Sequence, residues 1–175
     1  MDKGVAILKI ALTGDSSGFG PYVRDTLENL GHEVIGLSRS KGYDLSTTIG
    51  RELAIYATED CDVFINNSSA GGWQPHMLED WLLAYYNQNK TIINISSNLA
   101  LVNEPAAEHV AEWLCKNKLN DVHRKFINGS DYHVKCQSKI LSWGYWNNHP
   151  IAKDHPEVIT KMTIKEAIQD IVDLL

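Results

Sequence analysis

A glycine-rich stretch near the beginning of the chain has the residue types and spacing of a phosphate-binding turn. Thr13-Gly14-Asp15-Ser16-Ser17-Gly18-Phe19-Gly20 follows a mostly aliphatic run over residues 5–13 and precedes a helical pattern over residues 21–30. A strand, a glycine-rich turn and a helix in this order direct backbone N–H groups and the positive end of the helix dipole at one point. The stretch therefore predicts a phosphate site, although glycine-rich turns also occur where no ligand binds.

The elements that must position this turn alternate along the chain. Aliphatic or alternating runs predict strands over 5–13, 32–38, 62–67, 91–97 and 132–141, and helical patterns predict helices over 21–30, 77–86, 105–126 (capped by Asn103 or Glu104) and 163–175. A further helix is predicted after Ser46 or Thr47, with Ile49, Leu53 and Tyr56 at helical spacing. Such alternation is typical of a parallel sheet that is covered by helices on both faces.

The candidate functional segments share one position relative to these strands. Each of them follows the carboxyl end of a predicted strand, at residues 14–20, 39–45, 67–72, 96–98 and 142–146. In open parallel sheets, ligands bind beyond those ends, at the point where the strand order reverses. The shared position favours a phosphate site over a turn without a ligand.

Length and composition limit the classes of protein. The chain has 175 residues, of which 43% are hydrophobic and 22% charged, and this is typical of one soluble globular domain over residues 1–175. The formal net charge of −6 and the pI near 5.6 argue against a nucleic-acid partner. No apolar stretch approaches the roughly 20 residues of a membrane span, and the apolar run before Gly14 is interpreted as a buried strand rather than a signal sequence.

The cysteine and histidine residues indicate neither a disulfide framework nor a metal site. Cys61, Cys115 and Cys136 are odd in number and widely separated, and no CxxC or Cys/His ligand spacing occurs. The histidines form no HExxH pattern, and His109 and His123 lie too far apart on one predicted helix to share an ion. We therefore expect no metal, no disulfide and a reducing, cytoplasmic compartment.

The glycine stretch resembles the motif of a known family. Thr13-Gly14-x-x-x-Gly18-x-Gly20 matches the TGxxxGxG pattern of the short-chain dehydrogenase/reductases, which are Rossmann-type enzymes that use NAD(H) or NADP(H). The resemblance extends over nearly the whole chain. It implies a small-molecule substrate and the following cofactor contacts in the turn: Gly14, Ser16, Ser17, Gly18, Phe19 and Gly20.

Residues after the second predicted strand resemble the part of the family that binds the adenosine half of the cofactor. Arg39 is similar to the NADP marker, since a guanidinium pairs with the ribose 2′-phosphate where an acidic residue would bind the 2′-hydroxyl. Ser40 and Lys41 follow it directly, and Asp44-Leu45 looks like the pair beside the adenine. The resemblance therefore implies NADP(H) rather than NAD(H).

Three further segments resemble the family at later strand ends. The segment Asn66-Asn67-Ser68-Ser69-Ala70-Gly71 is similar to the family's NNAG segment with two residues inserted. The segment Ile95-Ser96-Ser97 is similar to the strand end that carries the catalytic serine. The segment Ser142-Trp143-Gly144-Tyr145 is similar to the loop that packs on the nicotinamide. The resemblance implies that Asn67, Ser68, Ser96 and Gly144 contact the cofactor and that Ser97 polarises the substrate oxygen.

The chain is shorter than typical members of the family. Only four residues separate Arg39 from Asp44, so the usual helix and edge strand between them are expected to be missing. We therefore predict an α/β fold, a Rossmann-like three-layer αβα sandwich with a parallel sheet of about five strands in the order 2-1-3-4-5. The loop after Gly144 is also short, which predicts an open site without a large substrate lid.

The predicted long helix departs from the family's catalytic pattern, Tyr-x-x-x-Lys. Aligning Lys116 with the family's lysine puts Glu112 where the tyrosine belongs, and residues 105–126 contain no tyrosine. Lys116 is then expected to hold the cofactor ribose, and Glu112 is either a general base or a solvated helix residue. A competing alignment takes Tyr132 with Lys135 or Lys139, at spacings of three and seven residues.

Three functions remain open from the sequence. The first is an NADP(H)-dependent oxidoreductase that transfers hydride to a small carbonyl or alcohol substrate, with an unidentified group, or a phenol from Tyr85 or Tyr86, in place of the missing tyrosine. The second is a nucleotide-binding protein without turnover, and the third a small α/β protein that binds no nucleotide. The long helix and the aromatic helix before it are surfaces on which this family commonly oligomerises, so a homodimer or tetramer is expected.

Overall fold

One parallel sheet forms the centre of the protein. The computed structural model describes residues 6–69, 72–129, 134–145, 149–160 and 162–175. Its strands are β1 (Lys9–Thr13), β2 (Glu33–Leu37), β3 (Val63–Asn66), β4 (Thr91–Ser97) and β5 (Gln137–Trp143). All neighbouring strands are parallel, and their order is β2-β1-β3-β4-β5. The fold class and the strand order that the sequence predicts are confirmed.

Helices cover both faces of this sheet. The described α-helices are α1 (Gly20–Asn29), α2 (Thr48–Ala57), α3 (Gln74–Tyr85), α4 (Val110–Asn128), α5 (Pro150–Asp154) and α6 (Ile164–Val172). Ile10 and Leu12 of β1 pack in one apolar cluster with α1 and α6, whereas Ala11 packs in a second cluster with α2, α3 and α4. Successive strand residues point to opposite faces, so a sheet between two helical layers needs runs of apolar residues.

The connection between β2 and α2 is short, as expected. Residues 38–47 are all described, and within them only a 3-10 turn forms, at Arg39–Lys41. No further strand or α-helix lies between β2 and α2 in this part of the chain, and β2 is therefore an edge strand of the sheet.

Two predicted elements begin later in the structure than in the sequence analysis. The predicted helix over 105–126 is a 3-10 turn at Ala107–His109 followed by α4, and neither Asn103 nor Glu104 caps it. The predicted strand over 132–141 is β5 at Gln137–Trp143. Residues 1–5, 70–71, 130–133, 146–148 and 161 lie outside the described residues, and with them Tyr132 and the end of the NNAG-like segment.

The helix predicted after Ser46 or Thr47 is present as α2, but the apolar residues that indicate it in the sequence do not face the core. Ile49, Leu53 and Tyr56 are 70%, 49% and 75% exposed, and the helix buries Gly50 and Ala54 instead. A Cβ at position 50 would overlap with the carbonyl oxygen of Asp44, so the helix lies too close to the preceding loop for larger side chains on that face.

Thr47 caps α2 as expected, and its removal should weaken this helix. The Thr47 hydroxyl accepts from the Gly50 N–H at 2.9 Å and donates to the Asp44 carbonyl at 2.9 Å. Thr47→Ala should lower the free energy of unfolding by about 1 kcal/mol, because one N–H at the helix start loses its acceptor. The matched control is Thr48→Ala at the neighbouring exposed position, which should change stability by less than about 0.5 kcal/mol. Urea unfolding checks both, and equal losses would contradict the cap.

The fold buries its cysteines and contains no membrane-spanning candidate among the described helices. No helix in this part of the chain is both long and apolar enough to cross a bilayer. Cys61, Cys115 and Cys136 are all buried and free. Burial raises the pKa of each of these thiols.

Candidate active site

The carboxyl ends of the strands border two neighbouring cavities that share Gly14, Ser17 and Ser68. The first, of about 320 Å³, extends from the glycine turn past the end of β4 to Tyr145. The second, of about 220 Å³, extends from the same turn to Arg39 and the loop before α2. The predicted cofactor residues that line one or both are Gly14, Ser16, Ser17, Gly18, Phe19, Arg39, Asp44, Leu45, Asn67, Ser68, Ser96 and Gly144.

Close backbone packing shapes the glycine turn between β1 and α1. Gly14 and Gly18 have positive φ angles of 68° and 62°, which favour glycine. A Cβ on Gly20 would overlap with the Gly14 carbonyl oxygen, so the start of α1 lies directly against the end of β1. The N-cap residue of α1, Phe19, makes no side-chain capping hydrogen bond, which leaves this N-terminus suited to an anion. Gly20 lines neither cavity, and its role is to permit this approach.

The Thr13 hydroxyl connects the glycine turn to the loop after β3. It accepts from the backbone N–H groups of Asn67 at 2.9 Å and Ser68 at 3.0 Å. The Asn67 side-chain amide donates in turn to the Thr13 carbonyl at 3.1 Å. These bonds hold the floor shared by the two cavities.

The positive charges beside the second cavity differ in their partners. Arg39 is exposed, and its Nε lies 3.5 Å from Asp44 Oδ1. Hydrogen bonds from Ser46 and the charge of Arg39 lower the pKa of Asp44. Lys41 instead donates at 2.7 Å to the fully buried Asp15 carboxylate, which Arg24 also approaches at 3.4 Å. Lys41 is therefore committed to an internal ion pair, whereas Arg39 holds only a weak exposed one.

The predicted adenosine contact Ser40 is not among the residues that line the cavities. The Ser40 hydroxyl lies 3.1 Å from the Ser38 hydroxyl. Ser40 is the middle residue of the 3-10 turn, and of the residues in this turn only Arg39 lines the second cavity.

A buried lysine lies at the base of the first cavity. Lys116 donates from its Nζ to the Gln74 side-chain oxygen at 2.8 Å and to the Ile95 carbonyl at 3.1 Å. Glu112 Oε1 lies 3.6 Å from the same Nζ. Burial lowers the pKa of Lys116, and the charge of Glu112 opposes that change. Gln74 was not predicted as a site residue, since nothing in the sequence distinguishes it from other glutamines.

Glu112 belongs to the cavity wall rather than to a solvated helix face. One turn of α4 separates it from Lys116, and its side chain is 24% exposed. Its Oε1 accepts from the Tyr145 hydroxyl at 3.2 Å. The structure therefore brings together Glu112, Lys116 and Tyr145, a tyrosine to which the sequence assigns no catalytic role.

The two serines at the end of β4 point in different directions. The Ser97 side chain lines the first cavity, and its oxygen accepts from the Leu99 N–H at 3.1 Å. Ser97 and Tyr145 both line this cavity. Ser96, by contrast, donates at 2.6 Å to Asn120 of α4 and so contributes to the position of that helix.

The tyrosines that were weighed as replacements do not reach this site. Tyr85 is the last residue of α3 and is buried against α2, where its hydroxyl donates to the Ile55 carbonyl at 2.6 Å. Tyr86 is 55% exposed at the end of the same helix and lines neither cavity.

One group of potential metal ligands occurs among the described residues. Glu108, His109 and Asp154 each place one ligand atom within 4.8 Å of the others. His109 Nε2 and Asp154 Oδ2 are 2.8 Å apart, which is a hydrogen-bond distance. His123 belongs to a different contact, with its Nδ1 2.9 Å from the Ser138 hydroxyl.

Solved structures share this architecture. A 3-alpha-hydroxysteroid dehydrogenase from Pseudomonas sp. complexed with NADH is 19% identical, with a TM-score of 0.66 over 94% of this chain and 88% of that one. A carbonyl reductase from Pseudomonas aeruginosa in complex with NADP is 14% identical, with a TM-score of 0.70 over 96% and 90%. A short-chain dehydrogenase/reductase from Vibrio parahaemolyticus is also 14% identical, with a TM-score of 0.70 over 95% and 90%.

These likenesses concern the backbone rather than the sequence. The sequence matches no family model and no curated protein. At such low identities a match over nearly the full length of both chains establishes the architecture. The chain therefore has the Rossmann-type fold of the short-chain dehydrogenase/reductases.

Proposed function

We propose that this protein is an oxidoreductase of the short-chain dehydrogenase/reductase type that uses NADP(H) and acts on a small carbonyl or alcohol substrate. The observation that carries the proposal is a continuous cleft. It joins the glycine turn and the N-terminus of α1 to Ser97 and the buried Lys116. An anion-binding turn next to a buried cation and a hydroxyl is a combination suited to a nicotinamide dinucleotide.

The residues present fit such a cofactor. Both cavities border Gly14, and a Cβ at this position would come within 3.2 Å of Ser68, so the turn needs a residue without a side chain where the two cavities meet. Gly14, Ser17 and Gly18 would hold the pyrophosphate, and Lys116 the nicotinamide ribose. When bound, NADPH supplies the hydride. Ser97 would donate a hydrogen bond to the substrate oxygen.

The difference between Arg39 and Lys41 supports the proposed preference for NADP(H). Lys41 neutralises Asp15, whereas the exposed Arg39 guanidinium can exchange Asp44 for a phosphate at low cost. Arginine also binds phosphate with two parallel hydrogen bonds. Neighbours with this fold include complexes with NADH and with NADP, and these support a nicotinamide cofactor in general.

A binding titration of NADPH and NADH, followed by nicotinamide fluorescence, tests the proposal. Arg39→Ala should weaken NADPH binding about 10- to 100-fold, the equivalent of about 1.5–3 kcal/mol for a charge-assisted contact. NADH binding should not change, because NADH lacks the 2′-phosphate. The control is Arg124→Ala on the exposed part of α4, which should affect neither cofactor. Absence of binding of either cofactor up to about 1 mM, roughly 4 kcal/mol, would contradict the proposal.

A nucleotide-binding protein without turnover is the second candidate. The observation that favours it is the missing tyrosine in α4, where Glu112 takes the position one turn before Lys116. This candidate predicts tight NADPH binding without hydride transfer to any aldehyde or ketone in a broad panel, whereas the first predicts reduction of at least one of them.

We also propose that the protein forms a homodimer or tetramer through α3 and α4. Leu83, Tyr86 and Leu114 of this surface are 77%, 55% and 54% exposed, which is unfavourable for large apolar side chains in water. Light scattering after size-exclusion chromatography tests this.

The free thiols favour a reducing compartment, and we propose the cytoplasm.

A further inference from the structure

The loop after β5 supplies a phenol at the place where α4 lacks one. Tyr145 follows Gly144 at the edge of the first cavity, and its hydroxyl donates to Glu112 Oε1 at 3.2 Å. Ser97 lines the same cavity. Glu112 in turn lies 3.6 Å from the ammonium of Lys116. The phenol, the serine hydroxyl and the carboxylate–ammonium pair therefore meet in one cavity although they come from three separate elements.

The backbone holds Tyr145 in this position. Its N–H donates to the Val158 carbonyl at 2.8 Å, and its carbonyl accepts from the Thr160 N–H at 2.9 Å. A Cβ on Gly144 would overlap with the Val158 carbonyl oxygen, so glycine is needed for this approach. The tyrosine is thus attached to a second segment of the chain rather than placed on a free loop.

Packing also fixes the aromatic ring. Tyr145 contacts a small apolar cluster around Leu99, Ile151 and Val158. The His149 ring stacks on the Tyr145 ring, with a distance of 4.3 Å between the ring centroids and an interplanar angle of 28°. A ring held this way presents its hydroxyl to the cavity in a restricted range of directions, which is what proton transfer to a bound substrate requires.

We propose that Tyr145 is the catalytic proton donor, in place of the tyrosine missing from α4, and that Glu112 is the positioning residue that orients its hydroxyl. This inference rests on the proposed oxidoreductase function. In the reductive direction a hydride passes from NADPH to the carbonyl carbon, the C=O π pair becomes the new O–H bond, and the Tyr145 O–H bond breaks to supply its proton. The products are the alcohol, NADP⁺ and a phenolate that regains a proton from water.

The surroundings of the phenol support a donor rather than a base. Burial raises the pKa of Tyr145, and the charge of Glu112 raises it further, whereas the contact with Ser97 lowers it. Cys115 and His149 are the other titratable groups near it. A phenol that is protonated at neutral pH can donate its proton to a developing alkoxide, as the reductive direction requires.

The test compares the ionisation of Tyr145 in complexes with NADP⁺ and NADPH. These two cofactors carry the same phosphates and differ in the charge of the nicotinamide ring. The protein is labelled with [ζ-¹³C]tyrosine, and its seven tyrosine signals are followed by NMR as a function of pH. If Tyr145 lies beside the nicotinamide, the ring's positive charge should lower its pKa by about one unit or more relative to the NADPH complex.

Controls for this experiment lie within the same chain. Tyr145→Phe removes one signal and so assigns it, and Glu112→Gln assigns it independently by lowering the Tyr145 pKa, should the first variant fail to fold. Tyr85 is the internal control, because it is buried between α3 and α2 and lines neither cavity, so it should titrate identically in both complexes. Equal Tyr145 titration in both complexes would overturn the role of Tyr145 alone, whereas failure to bind either cofactor would overturn the proposed function itself.

Discussion

Gly20→Ala is expected to destabilise the protein severely, by about 3 kcal/mol or more, because its methyl group has no space. The added Cβ would overlap with the Gly14 carbonyl oxygen and lie 2.8 Å from the Gly14 carbonyl carbon and 2.9 Å from the Asp15 Cα. All three are backbone atoms at the end of the buried strand β1, so they can move only if the strand or α1 moves. The variant should also lose NADPH binding.

Gly18→Ala is the matched comparison for this prediction. Gly18 has a φ of 62°, and no heavy atom lies within 4 Å of a Cβ at that position. Its replacement should therefore cost only the strain of a left-handed backbone, about 1–2 kcal/mol. Urea unfolding monitored by circular dichroism measures both variants. If Gly20→Ala were as stable as Gly18→Ala, the close approach of α1 to β1 would be refuted.

Gln74→Leu is expected to lower the free energy of unfolding by about 3 kcal/mol at pH 7, since the buried Lys116 ammonium loses one of its two hydrogen-bond acceptors. Gln74 is fully buried, and its side chain also donates to the Asn66 carbonyl at 2.6 Å and the Ile95 carbonyl at 2.7 Å. Leucine has a similar volume but replaces none of these bonds. The exposed Gln88→Leu is the control and should change stability by less than about 0.5 kcal/mol.

The effect of Gln74→Leu should depend on pH. The folded protein already lowers the pKa of Lys116 below its ordinary value of 10.5, so the unfolded chain binds more protons and stability rises as pH approaches that value. Removal of the Gln74 acceptor lowers the folded pKa further and makes this rise steeper. The defect of the variant should therefore be smaller at pH 9.5 than at pH 7. A defect that does not change with pH would exclude Lys116 as its cause.

The topology was predictable because its signals are local. Apolar runs identify strands that are buried on both faces, and the short connection from Arg39 to Asp44 leaves no room for a further strand. The exposed face of α2 was not predictable in the same way. Ile49, Leu53 and Tyr56 have the correct spacing for a core-facing stripe, but the approach of Gly50 to Asp44 decides which side of the helix faces inward.

Only those residues of the site that belong to a recognisable sequence motif were predictable. The glycine turn, Ser97 and Lys116 follow a pattern that specifies their positions along the chain. The contact of Tyr145 with Glu112 joins residues that are 33 positions apart in the sequence. It depends on the backbone pairing of Tyr145 with residues 158–160, and no local sequence pattern predicts that pairing. The ion pair between Lys41 and Asp15 could not be predicted for the same reason, since it joins residues that are 26 positions apart. Because of this pair, the positive charge of Lys41 is not available to bind a phosphate.

The three buried thiols offer a way to measure local opening of the folded chain. The thiolate is the nucleophile that attacks thiol reagents, and burial both shields the sulfur atoms and favours their protonated form. Labelling of a native cysteine must therefore wait for a local opening of the chain. Cys61 precedes β3, Cys115 lies on α4 beside Lys116, and Cys136 precedes β5. The labelling rate of each thiol would thus report how often its own part of the sheet and helix layers opens, without any introduced probe.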